Sequence, residues 1–230
     1  MEELAASSAR SADFFARVRA RLTLEVPAAL NDAAVPAVRG DLDLDPGLWE
    51  RAGVAATRPA SVLVGIVDRA EPTVLLTQRN AKLDNHAGQI AFPGGKIEPD
   101  DASPAAAALR EAEEEIGLDR ALVAPIGYLD LFLTFSGFRI LPTVARVDPA
   151  HQLVLNPSEV DESFEVPLAF LMDSQNHALH SRDWKGVIRR YYAMPFGERY
   201  IWGVTAGILR NLYERIYLSP GSKPERELPA

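Results

Sequence analysis

The sequence predicts an α/β protein, an α/β/α sandwich in which helices cover both sides of a mixed sheet, with a helical extension at the N-terminus. Three patterns support this prediction. Apolar segments at 61–69 and 73–79 are separated by a short turn, as expected for neighbouring strands. Residues 103–118 carry the start and stop signals of a helix. Residues 205–218 have apolar side chains at helical spacing and follow further strand-like segments.

The N-terminal part of the chain is predicted to be an extension of one main domain. Phe14, Val18 and Leu22 have helical spacing within residues 1–25, which predicts a helix that docks on the domain. A helix lying on a membrane surface is the alternative, but the segment lacks a Trp or a Lys-rich face. Prolines and the acidic run at 41–45 then indicate a connecting segment.

The main domain is predicted to combine strands with two helices. A loop follows the second strand as far as Phe92, and the acidic stretch 156–168 is also interpreted as a loop. Further strands are predicted where residues alternate or run apolar, at 122–134, 138–147, 187–196 and 198–203. The resulting division is an N-terminal helix and connecting segment at 1–58, the main domain at 59–218 and a C-terminal tail at 219–230.

Both ends of the central helix are signalled by residue type. Ser103 can cap the N-terminus, and Pro104 suits the first helical position. Gly117 is the residue type that most often follows the last turn of a helix. We therefore predict that the helix begins at Pro104 and ends before Gly117.

Glutamates crowd one face of this helix near its C-terminal end. Glu111, Glu114 and Glu115 lie at i, i+3 and i+4. Such neighbours cost roughly 0.2–0.5 kcal/mol per pair, and the helix dipole disfavours anions at this end. A solvated charged face is one interpretation. The other is a site for Mg²⁺ or Mn²⁺, which take oxygen ligands and leave positions for water and substrate phosphates. Arg110 either orients a carboxylate or is an ordinary partner of Glu114.

Residues around this helix resemble a known motif. Gly95, Asp101 and the run REAEEEIGL at 110–118 resemble the Nudix box of Mg²⁺-dependent hydrolases, which act on a nucleoside diphosphate linked to another group. The run has a small Ala112 where a larger aliphatic residue is common. Asp101 replaces the Glu of the general motif, and one extra residue separates the glycine from Arg110. These last two features are similar to the coenzyme A pyrophosphatase branch of the family.

A second motif precedes the box. Residues 75–79 (LLTQR), 86–88 (HAG) and 92–95 (FPGG) resemble the coenzyme A-associated signature of the same branch. Asn80 stands where that signature has a small Ser or Ala, and Asp84 stands where it usually has Arg. An arginine is a natural partner of phosphate because its planar fork donates two parallel hydrogen bonds. Asp84 therefore keeps a different nucleoside diphosphate derivative as an alternative substrate.

The resemblance implies the Nudix fold and a set of site residues. It implies Mg²⁺ or Mn²⁺ as cofactor, held by Glu111, Glu114, Glu115 and the carbonyl of Gly95. The candidate catalytic residues are Glu114 and Arg110, with Glu159 and Glu162 as candidates for a further metal contact or the general base. The candidate substrate contacts are Arg79, His86 and Gly94. Plainer alternatives stay open: an exposed acidic turn for the two later glutamates, a loop position for His86 and an ion pair for Arg79.

The implied reaction is hydrolysis of the pyrophosphate bond of coenzyme A or its derivatives, giving 3′,5′-ADP and 4′-phosphopantetheine or its acyl form. ADP-ribose or NADH, processed by the same machinery, is the first alternative. A non-catalytic binding module is the second, although such a module has no need of the complete REAEEE run. The expected partner is a small-molecule substrate, and the sequence leaves a homodimer open.

Composition narrows the class of protein further. No cysteine is present among the 230 residues, which excludes thiolate catalysis, disulfides and cysteine-liganded zinc. A net charge of −8 argues against a nucleic-acid partner. No apolar stretch reaches the ~18 residues of a membrane span, and the acidic N-terminus lacks the pattern of a secretory signal. We therefore expect no membrane partner and a cytoplasmic location.

Overall fold

A computed structural model describes residues 2–32, 34–35, 39–40, 44, 58–184 and 186–219 of the protein. The helices are α1 (Glu2–Arg21), α2 (Pro104–Ile116), α3 (Leu168–Leu171) and α4 (Gly203–Tyr217), with short 3-10 helices at Ala28–Leu30, Arg120–Leu122 and Ser174–Asn176. Most of the predicted connecting segment lies outside the described residues, including the acidic run 41–45 apart from Leu44. The predicted tail lies outside them as well, apart from Ser219.

The described strands belong to two sheets. The main sheet contains nine strands. They are β1 (Arg39–Gly40), β2 (Arg58–Val67), β3 (Thr73–Arg79), β4 (Ile90–Ala91), β5 (Gly94–Lys96), β6 (Val123–Tyr128), β7 (Phe132–Leu133), β8 (Phe138–Val147) and β9 (Val160–Pro167). The smaller sheet is antiparallel and contains β10 (Ala178–Trp184), β11 (Val187–Phe196) and β12 (Arg199–Trp202) in that order.

Strand β2 lies inside the main sheet and makes it mixed. It runs parallel to β8 along its whole length, from Arg58 opposite Phe138 to Val67 opposite Val147. It runs antiparallel to β3 on its other side, where Ile66 lies opposite Val74. Its first residues also pair with β5, and β9 pairs with β3. The predicted mixed sheet of an α/β protein is confirmed.

Helices cover both faces of the main sheet because successive side chains of a strand point to opposite faces. Val64 and Ile66 of β2 belong to a core that includes α1 and α4, whereas Leu63 and Val67 belong to a second core that includes α2. The buried helical side chains of the first core include Phe14, Phe15, Val18, Ile208, Leu212 and Ile216, and Leu22, just after α1, is buried with them. Each fully buried side chain of this kind contributes roughly 1.5–3 kcal/mol. The predicted α/β/α sandwich is confirmed.

The N-terminal helix α1 docks on the domain through polar contacts as well as its apolar side. Ser11 forms a hydrogen bond with Asp68, which follows β2. At the C-terminal end of α1, the Nη1 atom of Arg21 donates to the carbonyl oxygen of Leu218 over 2.6 Å. The apolar side of α1 is thus covered by the domain. Within the part of the chain that the structure describes, no helix has the length and apolar character needed to cross a membrane.

Several segments differ from the sequence-based expectation. The loop predicted before Phe92 contains the short strand β4, and residues 94–96, for which no strand was predicted, form the strand β5. The loop predicted at 156–168 contains β9, and β10 was not predicted at all. Strands of two or three residues are too short to show a periodicity. Strand β9 is acidic, but an arginine distant in sequence neutralises part of its charge. Glu165 accepts two hydrogen bonds of 2.7 Å from Arg69.

Candidate active site

Helix α2 begins and ends where its sequence predicts. The Oγ atom of Ser103 accepts a hydrogen bond from the backbone N–H of Ala106 over 3.1 Å, and Pro104 is the first helical residue. Gly117 has a left-handed φ of 65°, which is favourable for glycine, and its N–H donates to the last carbonyls of the helix. This termination places Glu115 in the last turn, facing the sheet.

Glu115 is a buried carboxyl at the centre of the candidate site. Its exposed fraction is 4%. The N–H of Gly94 donates to its Oε2 atom over 3.3 Å, and the Nη1 atom of Arg79 lies 4.0 Å from its Oε1 atom. Burial raises the pKa of Glu115 to about 8, and the negative charges of Glu111 and Glu159 add to the rise, while Arg79 and the Gly94 N–H oppose it. A cation at this position would relieve that strain on the charged form.

Glu111 lies against a strand that carries no side chain at the point of contact. A Cβ atom added to Gly95 would stand 2.5 Å from the Glu111 carboxylate, so the glycine allows the backbone of β5 to approach it. Burial also raises the pKa of Glu111, and the hydrogen bond from Arg110 opposes this. Glu111 and Glu115 thus place two carboxylates beside the two glycines of the second motif.

Arg110 holds the surrounding acids in place. Its Nη1 atom donates to Glu111 over 3.0 Å and to Glu114 over 3.1 Å. Its Nε and Nη2 atoms donate to Asp101 over 3.1 and 3.0 Å, and Nη2 also donates to the carbonyl oxygen of Lys96 over 3.1 Å. These bonds lower the pKa of Asp101. Arg110 therefore both orients Glu111 and pairs with Glu114, so the two roles left open by the sequence coexist.

The donor set fits a hard divalent cation, although its side chains are not gathered around one point. Among the described residues, no three acidic or histidine groups converge closely enough to hold an ion as they stand. The reason is local: the Glu114 side chain is 53% exposed and is drawn toward Arg110. The carboxylates of Glu111 and Glu115 are oxygen ligands next to a glycine backbone. The pKa of both is raised, so a bound cation would stabilise their charged forms.

The residues of the second motif surround the same carboxylates from the β3 side. Arg79 is the last residue of β3, and its Nε atom is buried without a hydrogen-bond partner in the described structure. The loop that follows is closed at its base, because the N–H of Gly88 donates to the Arg79 carbonyl over 3.1 Å. His86 is exposed in this loop, with a φ of 58° and its Nδ1 atom 3.0 Å from Oε1 of Gln89. Asp84 is exposed as well.

The two later glutamates are placed differently. Glu159 precedes β9, and its charge raises the pKa of Glu111 and Glu115, so it lies within electrostatic reach of both. Glu162 lies within β9 in register with Gln78, on the face that carries Phe164 and Val166 toward α1 and α4. There Glu162 pairs with Arg199. The structure brings Glu159 to the helix acids and does not bring Glu162.

Asn80 has a structural role that the sequence did not reveal. It immediately follows β3, and its Nδ2 atom donates to the carbonyl oxygen of Pro157 over 2.6 Å. Its backbone N–H donates to the carbonyl oxygen of Glu159 over 2.8 Å. Asn80 therefore fixes the segment that presents Glu159. Only its position directly after a strand of the second motif could have indicated this.

Comparisons with known proteins identify the family of the chain. The NUDIX domain family matches residues 57–185. Proteins called "Uncharacterized Nudix hydrolase NudL" from Yersinia pestis and Yersinia pseudotuberculosis are 40% identical over 163 residues, covering 70% of this chain and 81% of theirs. A crystal structure of a NUDIX hydrolase from Alicyclobacillus acidocaldarius aligns with 68% of this chain and 90% of its own, at 20% identity and a TM-score of 0.43.

The chain belongs to the Nudix hydrolase family. It is a pyrophosphohydrolase, an enzyme that hydrolyses pyrophosphate bonds, and Nudix hydrolases generally act with divalent metal ions. The helix α2 that carries the crowded glutamates is the element that the motif resemblance identified as the Nudix box.

Proposed function

We propose that this Nudix hydrolase cleaves the pyrophosphate bond of coenzyme A or its derivatives with Mg²⁺ or Mn²⁺, giving 3′,5′-ADP and 4′-phosphopantetheine or its acyl form. The substrate assignment rests on the motif at 75–79, 86–88 and 92–95. The relatives named NudL are hydrolases of the same family, and their names specify no substrate.

One observation carries the proposal: the second motif and the Nudix box meet at a single carboxyl. Arg79 and Gly94, both from the second motif, contact Glu115 from two sides, at 4.0 and 3.3 Å. Arg79 retains a buried, unpartnered Nε donor at this point within the described structure. A phosphate bound to a divalent ion on the helix acids would therefore lie within reach of an arginine that still has a donor to offer.

The proposed division of roles follows from these contacts. Glu111, Glu115, Glu114 and the Gly95 carbonyl would hold the divalent ion, which when bound lowers the pKa of the attacking water and neutralises charge on the phosphate oxygens. Arg110 positions Glu111 and Glu114 for this task. Because Glu114 is exposed, it can turn from Arg110 toward the other carboxylates without disturbing the core.

The water molecule attacks one phosphorus atom, forming a new P–O bond while the bridging P–O bond breaks. Glu159 is the candidate that accepts the water proton, because it lies within electrostatic reach of both helix carboxylates. Glu162 is the weaker candidate for that role because Arg199 already neutralises it. Arg79 and the Gly94 N–H would bind phosphate oxygens, with His86 as a further contact from the loop.

A turnover panel tests the proposal. The protein is incubated with Mg²⁺ or Mn²⁺ and, separately, coenzyme A, an acyl-coenzyme A, ADP-ribose and NADH, and products are followed by chromatography. The proposal expects the highest kcat/KM for coenzyme A or its acyl form. Preference for ADP-ribose or NADH would overturn the substrate assignment in favour of the alternative suggested by Asp84. Absence of turnover with all four would favour a binding module.

Two variants test the assigned residues within the same panel. Glu114→Gln preserves shape and removes a ligand charge, so activity at limiting metal should fall at least about tenfold. Glu113→Gln is the matched control, since Glu113 is exposed on the same helix and pairs with Arg120. Arg79→Gln should raise KM for every pyrophosphate substrate. Equal activity of the Glu114 and Glu113 variants at limiting metal would contradict the metal assignment.

A further inference from the structure

The small sheet presents a layer of aromatic rings to solvent. His180 of β10, Tyr191 of β11, and Tyr200 and Trp202 of β12 contact one another, and we call these four residues the aromatic face. The ring centroids of His180 and Tyr191 are 5.9 Å apart with 27° between the ring planes, and those of Tyr191 and Trp202 are 5.4 Å apart in an edge-on arrangement with 66° between the planes. Tyr200 is 42% exposed. Such a continuous ring surface is unusual unless a ligand covers it.

The aromatic face is not required to hold the small sheet on the domain. Residues that alternate with it point the other way: Met194 and Ile201 are fully buried, and Tyr192 packs against the core that includes α1 and α4. The hydrophobic contribution to folding therefore comes from the opposite face of β11 and β12. On the aromatic face His180 and Tyr200 are exposed, and Tyr191 and Trp202 are half-buried.

The same face is cationic in a protein whose net charge is −8. Arg182 lies directly opposite Arg189, two pairs along from His180 and Tyr191 and therefore on the same face. The Arg189 guanidinium lies over the ring of Phe135 at 4.4 Å. Among the described residues of these strands, those that share this face by alternation include no carboxylate. Stacked rings beside paired cations fit a planar base attached to phosphate.

The aromatic face borders a strand that leads into the candidate active site. Strand β12, which supplies Tyr200 and Trp202, lies beside β4. The Oγ1 atom of Thr205 donates to the carbonyl oxygen of Ile90 in β4 over 2.9 Å, which fixes this arrangement. From Ala91 to Gly94 the backbone covers at most about 10 Å, at ~3.3 Å per residue. Gly94, whose N–H donates to Glu115, therefore lies within that distance of the strand beside β12.

We propose that the aromatic face binds the adenine nucleotide end of the substrate, with the base stacked on Trp202 and in edge contact with Tyr191, and a phosphate near Arg182 and Arg189. This inference rests on the proposed function in one respect: the substrate must contain an adenine nucleoside diphosphate. Coenzyme A, ADP-ribose and NADH all do. The aromatic face then sets affinity for the nucleoside, while the helix acids and Arg79 act on the pyrophosphate.

Calorimetric titration with product fragments tests this inference. Adenosine, 3′,5′-ADP and 4′-phosphopantetheine are titrated separately, with Mg²⁺ present, into the wild-type protein and into Tyr191→Ala and Trp202→Leu. Loss of one stacking ring should raise the Kd of adenosine and 3′,5′-ADP roughly 5- to 100-fold and leave that of 4′-phosphopantetheine unchanged. Arg182→Gln should weaken 3′,5′-ADP but not adenosine. Unchanged adenosine affinity in both ring variants would overturn the inference.

A matched control separates stacking from general loss of a surface tyrosine. Tyr217 is 40% exposed and stacks on Tyr213 at the end of α4, away from the aromatic face. Tyr217→Ala should bind all three fragments as the wild type does, and weakened adenosine binding in this variant would count against the inference. Trp202→Phe is a milder variant that keeps a ring and removes the fluorophore, so misfolding is a smaller concern. Adenosine should quench the tryptophan fluorescence of the wild type more than that of Trp202→Phe. Equal quenching would overturn the assignment.

The outcome is independent of which substrate the enzyme prefers. If coenzyme A is not turned over but adenosine binding still depends on Tyr191 and Trp202, the substrate proposal fails and this inference stands. If coenzyme A is turned over but adenosine binding ignores both rings, this inference fails alone. Sedimentation of the same variants tests whether a second copy of the chain covers the aromatic face instead. If a wild-type dimer dissociates in Tyr191→Ala while adenosine affinity is unchanged, the aromatic face is a dimer contact and the inference is overturned.

Discussion

Replacing the buried Glu115 with glutamine is expected to stabilise the metal-free protein at alkaline pH. Burial raises the pKa of this carboxyl from its ordinary 4.5 to about 8. Between these pH values the folded protein keeps a proton on Glu115 that the unfolded chain has released. The free energy of unfolding therefore contains a contribution that is fully present below pH 4.5 and is lost as the pH rises to about 8.

The size of this contribution follows from the pKa difference. At about 1.36 kcal/mol per pH unit, the change in Glu115 corresponds to a loss of about 5 kcal/mol by pH 9. Movement of neighbouring side chains and entry of water lower the observed value, so we expect about 3–5 kcal/mol. Glutamine has the shape of the protonated acid and cannot ionise. Glu115→Gln should therefore match the wild type at pH 5 and exceed its free energy of unfolding by that amount at pH 9.

Urea unfolding in a metal chelator, at pH 5 and pH 9, measures the difference. Glu113→Gln is the control, because the Glu113 side chain is 46% exposed and its loss should change stability by less than about 1 kcal/mol at either pH. Saturating Mg²⁺ should remove the alkaline advantage of Glu115→Gln, since only the wild type can bind the ion fully. An equal effect of Glu115→Gln at both pH values, or a loss of stability at pH 9, would refute the reasoning.

Three further substitutions test the geometry around the helix. Gly95→Ala should lower kcat/KM about 100-fold without loss of secondary structure by circular dichroism, because the new Cβ would stand 2.5 Å from the Glu111 carboxylate; activity within threefold of wild type would contradict this. Gly117→Ala should lower the free energy of unfolding in urea by about 1–3 kcal/mol and leave kcat/KM within twofold of wild type. The reason is that φ is 65° and the new Cβ would stand 2.8 Å from the Val154 backbone. Unchanged stability would contradict this prediction. Arg110→Lys should lower the free energy of unfolding in urea by about 1–3 kcal/mol and kcat about tenfold. A single ammonium group cannot replace the hydrogen bonds to Asp101, Glu111 and Glu114. A variant equal to wild type in both assays would contradict the positioning role of Arg110.

Local signals in the sequence predicted the central helix almost residue by residue. Ser103, Pro104 and Gly117 act through contacts within a few residues of themselves, so no tertiary information was needed. The first two main strands and α4 were likewise predicted, because they are long enough to show their periodicity. The short strands β4 and β5 lacked that length.

The acidic segment at 156–168 shows where local patterns fail. Its glutamates suggested a loop, yet Glu162 and Glu165 lie in a strand because Arg199 and Arg69, distant in sequence, pair with them. Which of the later glutamates reaches the helix acids depended on the register of β9 against β3, with a shift between Gln78 and Arg79. A shift of one residue turns a side chain to the other face of the sheet. No single-residue signal carries that information.

The sequence by itself determined the helix, the crowding of three carboxylates on one of its faces and the two motifs that identify the family, because each depends on residue type and short spacing. Only the tertiary structure decided which carboxyl is buried, that Arg79 and Gly94 meet it, that Arg110 draws Glu114 away, and that rings from three strands form one exposed layer. These are contacts between segments far apart in the chain, and their energies depend on burial and register, which exist only once the sheet is assembled.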